Sequence, residues 1–209
     1  MFILLMKDKK QEILEAAQEL FAENGFDATS TREIAQKAGV NIAMLSYYFN
    51  SKLNLLKEII DTKMAQSWDV SKLALDQIDH WDILDTFIDK HVEKIFNNSS
   101  FHCMMFRETT FHNREDVNEL WFSYLKQHHE FFTKILRNGN KKGVFRKVDE
   151  ELTLLTIIST ISRMVMTQWF NNRLLNSDSK DQLTPDVLKK RIKKHLTDLM
   201  HAHLKPEKK

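Results

Sequence analysis

The chain has 209 residues and a mass of 24.8 kDa, enough to bury the core of one large domain or of two smaller ones. Because 42% of the residues are hydrophobic and 29% are charged, the composition excludes a disordered protein. No apolar run reaches the roughly 18 residues that a membrane-spanning helix needs. The net charge of +2 does not by itself indicate a nucleic-acid partner.

Turn-forming residues are scarce. Only four glycines and two prolines occur, and no proline lies between Met1 and Thr184. This scarcity disfavours a β-sandwich, a barrel or a Gly-rich phosphate loop. The sequence therefore predicts an all-α fold.

The compartment is predicted from the thiol content and the N-terminus. The single cysteine, Cys103, cannot form an intramolecular disulfide, and the opening MFILLM lacks the basic segment of a secretory signal. We therefore predict a cytoplasmic protein with no membrane partner. The sequence leaves open whether translation starts at Met1 or at Met6.

A first helix is predicted from about Lys9 to Asn24, and Gly25 is expected to end it. Its apolar residues recur at the spacing of one helical face: Ile13, Leu14, Ala17, Leu20 and Phe21. A capping box, Ser30 with Glu33, then predicts a short second helix. Gly39 ends that helix, and Asn41 can cap a third one, which is the spacing of a helix-turn-helix.

Three further helices are predicted in the middle of the chain. A fourth helix begins near Ser51 and continues towards Leu75, and an amphipathic helix from Ile83 to Phe96 follows it. After a shorter aromatic stretch, 101–112, a long helix starts at Val117 and is expected to break at Gly139 and Gly143.

The last part of the chain is expected to supply a subunit interface. Residues 149–176 are apolar or small around the whole circumference, which predicts a helix buried on more than one side. The final helix, capped by Thr184, adds a stripe of Leu188, Ile192, Leu196 and Leu199 that we expect at the same interface.

The first 60 residues resemble the DNA-binding domain of TetR-family transcriptional regulators. The resemblance covers roughly Gln11 to Ile60 and rests on ILEAAQELFAENGFDATSTREIAQKAGV, YYFNSK and LLKEII, which occur in the family's order and spacing. It implies a helix-turn-helix DNA-binding domain over 1–55 and an all-α effector-binding and dimerisation domain over 56–209. The partners it implies are a double-stranded DNA operator and a second copy of the chain.

The predicted DNA contacts follow from position in the motif. A recognition helix presents its first turns to the major groove, so the candidate base contacts are Ile42, Ala43, Met44 and Ser46. The backbone N–H groups that open the second helix near Thr29, Ser30 and Thr31 are expected to bind phosphate, and the hydroxyls of these residues add to the site. The resemblance implies three further phosphate contacts: Tyr47, Tyr48 and Lys52.

Positive charge in this segment is limited. Within the first 60 residues, seven Lys and Arg stand against eight Asp and Glu, a net charge of −1. DNA binding must therefore depend on local placement of a few cations and on two subunits acting together. Those cations are Lys7, Lys9, Lys10, Arg32, Lys37 and Lys52.

No catalytic motif occurs. The sequence contains no GxSxG, P-loop, GxGxxG or HExxH pattern, and no Glu-x-x-His pair of the di-iron type. His128 with His129, and His201 with His203, are poorly spaced to share a metal ion on one helix. We therefore expect no enzyme, no metal and no cofactor.

The aromatic and methionine side chains of the second domain are core residues by default, but the resemblance to TetR-family regulators implies that this domain binds a small-molecule effector. An apolar pocket suits a hydrophobic or amphipathic effector, whose identity the sequence does not give. The candidate pocket residues are Met105, Phe106, Trp121, Tyr124, His128, Arg163 and Met166. Arg163 could instead form an ion pair within the dimer interface.

The sequence thus predicts a homodimeric, ligand-responsive repressor of a near-palindromic operator. Two alternatives stay open at this point. One is a transcriptional activator, and the other is a helical small-molecule receptor or enzyme-like protein that retains the helix-turn-helix only as a scaffold.

Overall fold

A computed structural model describes residues 2–65, 79–111, 114–175 and 184–207, and within these ranges the side chains of 2–8, 111, 168 and 169 are not described. Over the described residues the fold is all-α. The helices are α1 (Phe2–Asn24), α2 (Thr31–Lys37), α3 (Ile42–Phe49), α4 (Lys52–Ala65), α5 (His80–Asn97), α6 (Ser99–Phe111), α7 (Glu115–Lys141), α8 (Glu150–Met166), α9 (Gln168–Leu175) and α10 (Pro185–Leu204). None of them, as far as the described residues go, is long and apolar enough to cross a bilayer.

The chain divides into two compact units. The first combines residues 1–67 and 100–124, and the second combines residues 68–99 and 125–209. The compact units therefore do not divide at residue 55, where the boundary between the two functional domains was predicted. The physical reason is that Phe101, Met104 and Val117, from α6 and the start of α7, are buried in the same hydrophobic cluster as α1 and α4. The assignment of DNA binding to residues 1–55 stays a prediction.

In the first unit, local signals in the sequence explain where the helices begin and end. Gly25 adopts a φ of 87°, and Phe26 packs on Phe21 with ring centroids 5.2 Å apart, as predicted for the end of α1. The helix begins earlier than predicted, at Phe2 rather than near Lys9. Residues 66–75, where α4 was expected to continue, lie outside the described residues.

In the second unit, α5 packs against both α8 and α10. The stripe on α10 that we expected at a subunit interface is buried within this unit instead, because Leu188, Ile192 and Leu196 pack inside it. Leu199 remains exposed. The predicted role of the three buried residues in a subunit interface is therefore wrong.

Two predicted helix limits also differ from the structure. Gly139 does not break α7, which continues to Lys141. The described part of the segment 149–176 forms two helices rather than one, since α8 ends at Met166, with Thr167 as its C-cap, and α9 follows. The Asn171 side chain accounts for that end, because its amide donates to the Met164 carbonyl (2.5 Å), which then has no need of a main-chain N–H from the next turn. One side of α8 is exposed in the single chain rather than buried, as Leu152 and Leu155 show.

Candidate nucleic-acid interface

The turn between α2 and α3 is fixed by three local interactions. Gly39 takes a φ of 62°, which a glycine adopts without steric strain. The Val40 N–H then donates to the Ala35 carbonyl (3.0 Å), and the Asn41 side chain accepts a hydrogen bond from the Ala43 N–H (2.9 Å). These contacts set the direction in which α3 leaves the turn.

The residues of α3 separate into a buried and an exposed side. Leu45 and Phe49 are buried and attach the helix to the core of the first unit. Among the predicted base contacts, Ile42, Ala43 and Ser46 are exposed, whereas Met44 is half-buried. Most of the predicted reading face is therefore accessible.

The two tyrosines of α3 differ in exposure. Tyr47 is 73% exposed. Tyr48 is half-buried against the hydrophobic cluster, and its ring lies edge-on to that of Tyr47, with centroids 5.3 Å apart. Of the two tyrosines, Tyr47 is therefore the one that solvent reaches more freely.

The start of α2 is closed by its capping box. The Glu33 N–H donates to the Ser30 hydroxyl (3.2 Å), and the Ser30 N–H donates to the Glu33 carboxylate (2.7 Å), which lowers the pKa of Glu33. The Thr29 hydroxyl is 1% exposed and donates to the Gly25 carbonyl (2.8 Å). The structure therefore contradicts the predicted phosphate contact through the Thr29 hydroxyl, because that group is buried and already hydrogen-bonded. The Ser30 N–H is likewise already engaged, by Glu33, while phosphate contacts through the N–H groups of Thr29 and Thr31 and the hydroxyls of Ser30 and Thr31 stay predictions.

Lys52 has a different role from the predicted one. Its ammonium group donates to the carbonyls of Phe26 (2.7 Å) and Thr29 (2.8 Å) and lies 4.4 Å from the centroid of the Phe26 ring. A lysine held by backbone carbonyls anchors the segment between α1 and α2 and does not project towards a phosphate. The predicted phosphate contact of Lys52 therefore disagrees with this conformation.

Several of the predicted cations are engaged by carboxylates. Lys37 forms an ion pair with Glu19 (2.9 Å), which raises the pKa of Lys37, and Lys10 forms one with Glu58 (2.6 Å). The side chain of Arg32 is exposed. Lys9 is paired with Glu12 (2.6 Å), and the side chain of Lys7 lies outside the described part of the chain. Few of these cations remain available for phosphate unless ion pairs exchange.

Sequence reasoning missed an ionic cluster in the same unit. The buried carboxylate of Glu108 accepts hydrogen bonds from the Phe26 N–H (3.3 Å) and from the Arg114 guanidinium, which also pairs with Asp27. The residues that meet here are 82 and 87 positions apart, and no local motif joins them. Only the tertiary fold brings them together.

The predicted effector residues divide between the two units. Met105, Phe106, Trp121 and Tyr124 belong to the first unit. Met105 and Tyr124 are buried, Trp121 is half-buried with its ring centroid 5.2 Å from that of Tyr124, and Phe106 is exposed. The exposed Phe106 does not fit the predicted role of a pocket wall within this unit.

The other three predicted effector residues belong to the second unit. His128 is buried and lies 3.2 Å from the Lys94 ammonium nitrogen, measured at Nε2. Burial, with the positive charge of Lys94, lowers the pKa of His128 to about 3. Met166 is half-buried. Arg163 is exposed on α8, with its guanidinium 5.9 Å from the centroid of the Phe170 ring, and both of its predicted roles, in the pocket or in the dimer interface, stay predictions.

Across the described residues, no group of three or more His, Cys, Asp or Glu side chains is arranged to hold a metal ion.

Two family models match the chain. One, described as bacterial regulatory proteins of the tetR family, matches residues 13–59, and the other, described as a tetracyclin repressor-like C-terminal domain, matches residues 77–173. The first match includes α2, α3 and the turn between them. The two models together thus include both the candidate interface and most of the second predicted domain.

Curated proteins with similar sequences are regulators. The probable HTH-type transcriptional regulator YttP of Bacillus subtilis (strain 168) is 27% identical over 136 residues, which are 64% of this chain and 65% of that protein. The fatty acid metabolism regulator protein of the same organism is 25% identical over 169 residues, which are 77% of this chain and 85% of that protein.

Solved structures of similar fold are regulators as well. The TetR family transcriptional regulator PfmR from Thermus thermophilus superposes with a TM-score of 0.72 at 27% identity, covering 93% of this chain and 96% of that one. HlyIIR, a hemolysin II transcriptional regulator, gives a TM-score of 0.64 at 27% identity, covering 92% and 99%.

Proposed function

The chain belongs to the TetR family and is a DNA-binding transcriptional regulator, and from that premise we propose that it is a homodimeric repressor. It binds a near-palindromic operator and leaves the operator when a hydrophobic or amphipathic small molecule binds. As a regulator of bacterial genes, it acts in the cytoplasm.

The exposed side of α3 carries this proposal. Ile42 and Tyr47 present apolar and aromatic surface to solvent, while Leu45 and Phe49 hold the helix from behind. An apolar side chain in the major groove contacts thymine methyl groups, and a tyrosine hydroxyl binds phosphate. This arrangement has no evident use in the packing of the isolated chain.

A second copy is needed for affinity, because the first 60 residues have a net charge of −1 and several cations there are paired. Two recognition helices related by a two-fold axis reach half-sites about 34–36 Å apart, or a multiple of that distance, so the operator should be near-palindromic. The exposed side of α8, with Leu152 and Leu155, is the proposed subunit contact. Leu152 and Leu199 both line a depression between α8 and α10 that a second copy would cover.

The effector is proposed to act by population shift. The effector binds more tightly to a dimer whose recognition helices have a spacing that does not fit the operator. The difference between its affinities for the two conformations weakens DNA binding, typically by about 1–3 kcal/mol. Since one relative is named a fatty acid metabolism regulator, long-chain acyl compounds are the first class to test. No cofactor is part of this proposal.

The decisive experiment titrates the purified chain against a labelled duplex from upstream of its own gene, beside a scrambled duplex of the same composition. We expect selective binding whose affinity falls with salt, because phosphate neutralisation releases counterions. If neither that duplex nor any duplex enriched from a random-sequence pool binds selectively, the receptor-only alternative is correct. A reporter gene behind the selected duplex then separates repression from activation.

A further inference from the structure

The corner between α1 and α2 is held from two sides at one residue. The Phe26 carbonyl accepts a hydrogen bond from Lys52 at the start of α4 (2.7 Å), and the Phe26 N–H donates to Glu108 on α6 (3.3 Å). Both main-chain groups of a single residue are therefore bound by charged side chains from other helices. All of these residues belong to the first unit.

The Phe26 ring also contacts charged side chains from two other parts of the unit. Its ring centroid lies 4.4 Å from the Lys52 ammonium nitrogen and 4.4 Å from the guanidinium carbon of Arg114. Cations over an aromatic ring are attracted by its quadrupole, most strongly where water is excluded. Phe26 itself is buried, so its backbone and its ring are fixed together.

Glu108 and Arg114 act as one group. The Glu108 side chain is 1% exposed, and a buried carboxylate requires compensation by a cation and by hydrogen bonds. Arg114 supplies the cation and extends a second N–H to Asp27, the residue after Phe26. Loss of either partner leaves the other buried charge uncompensated.

We propose that Glu108 and Arg114 are positioning residues for DNA binding, which fix the corner that orients α2 and α3 although neither residue contacts DNA. This inference rests on the proposed function. Lys52 transmits the effect, since it joins the carbonyls of Phe26 and Thr29 to the start of α4, three residues after the end of α3. When the corner loosens, the exposed side of α3 no longer has a fixed orientation, and ordering it upon binding reduces affinity.

The sign of the effect separates positioning from simple electrostatics. The variant Glu108→Gln removes a negative charge from the DNA-binding unit, so long-range electrostatics predicts tighter binding to DNA. The positioning role predicts weaker binding, because the new amide turns an N–H group towards the Arg114 guanidinium or towards the Phe26 N–H. Glu119→Gln is the matched control, since Glu119 is an exposed carboxylate on α7 in the same unit.

The experiment measures operator affinity at several salt concentrations for wild type, Glu108→Gln and Glu119→Gln, with the active fraction determined by stoichiometric titration. We expect Glu108→Gln to bind about tenfold more weakly, while Glu119→Gln binds at least as tightly as wild type. The slope of log affinity against log salt should stay unchanged, because no phosphate contact is lost. A variant that is merely less stable would lower the active fraction and leave the affinity of the folded molecules intact, which overturns the proposal.

Hydrogen exchange and a double variant complete the test. In the free protein, Glu108→Gln should accelerate amide exchange over residues 22–31, and Glu108→Gln with Arg114→Gln should bind no more weakly than the weaker single variant. The inference would be overturned, and the proposed function left intact, if Glu108→Gln bound as tightly as wild type. The same holds if the double variant lost as much binding free energy as the two single variants together. Absence of selective DNA binding by both wild type and Glu119→Gln would overturn the proposed function, and this inference with it.

Discussion

The ring of Phe145 occupies the space in which a side chain on Gly139 would begin. A Cβ atom on Gly139 would lie 2.1 Å from Cδ2 of Phe145, far inside van der Waals contact. The chain reverses after α7 through Gly143, whose φ is 72°, and the Phe145 N–H returns to the Gly139 carbonyl (3.1 Å). Gly139 is therefore a packing residue within a helix and does not mark its end.

The variant Gly139→Ala tests this relationship through the sign of its effect on stability. Alanine at a helix interior is favoured over glycine by about 1 kcal/mol, whereas forcing an extra carbon into a filled core costs about 1–3 kcal/mol. We expect the second effect to dominate and the free energy of unfolding in urea to fall by about 1–2 kcal/mol. Lys134→Ala, at an exposed position of the same helix, is the control and should change stability by less than about 0.5 kcal/mol. A stabilised Gly139→Ala protein would mean that the Phe145 ring can move away freely.

The sequence predicted those helix ends whose cause is local. Gly25 and Gly39 end helices because their own φ angles are positive, which composition and spacing indicate. Gly139 is also a glycine, but it does not end a helix. A glycine fits there because the ring of Phe145 packs against its backbone, a contact that only the folded structure shows. The end of α8 at Met166 was missed for a related reason, because it depends on the Asn171 amide, which binds the Met164 carbonyl seven positions earlier in a segment whose pattern is otherwise apolar.

In the candidate interface too, the sequence predicted contacts between residues close in the chain and missed those between distant residues. The capping box of Ser30 and Glu33 and the cap at Asn41 join residues two or three positions apart, and both were predicted. Lys52 binds carbonyls 23 and 26 positions away, so the motif gave its position without its contacts. The Glu108 and Arg114 cluster has no counterpart in any local pattern.

Replacing Tyr47 by Phe should weaken binding to every DNA sequence alike. The hydroxyl is proposed to contact phosphate, a contact that positions the protein without reading a base, and its loss should cost about 1–2 kcal/mol. The measurement is the affinity for the operator and for a scrambled duplex, and both should decrease by the same factor. A change in base preference would show that Tyr47 contacts a base instead.

Replacing Ile42 by Ala should alter specificity rather than overall binding. An apolar contact with a thymine methyl group discriminates at one base pair, so we expect relaxed preference at one position of each half-site, worth about 1 kcal/mol. Selection of bound duplexes from a pool randomised over the operator measures this preference. An unchanged selection profile would remove Ile42 from the base contacts.

Buried histidines in the second unit should make the chain less stable in acid. Burial lowers the pKa of His91 to about 4, and burial with the charge of Lys94 lowers that of His128 to about 3. The unfolded chain takes up protons on these residues near pH 6.5, whereas the folded chain does not. The contribution of these two histidines to stability is therefore fully present above about pH 6.5 and is lost as the pH falls towards about 4, by up to roughly 1.4 kcal/mol per pH unit for each histidine.

The variant His128→Gln tests this origin of the acid sensitivity. Glutamine can still accept a hydrogen bond from Lys94 but does not titrate, so the loss of unfolding free energy between about pH 6.5 and 4.5 should be roughly halved. His195→Gln, at an exposed position of α10, is the control and should leave the pH dependence as in wild type. Equal slopes for wild type and His128→Gln would assign the acid sensitivity to other groups.

Replacing Leu155 by Lys should separate the proposed dimer without unfolding the chain. Leu155 is 54% exposed on α8, so a lysine there can reach water in the monomer, whereas in the proposed interface its charge would be buried beside a second copy. Light scattering at micromolar concentration should then give the mass of one chain, and affinity for a duplex with both half-sites should fall to that for one half-site. Phe122→Lys is the control, because Phe122 is 61% exposed on α7 in the first unit and lies outside the proposed interface. A Leu155→Lys protein that remains dimeric would require a subunit contact formed by another surface.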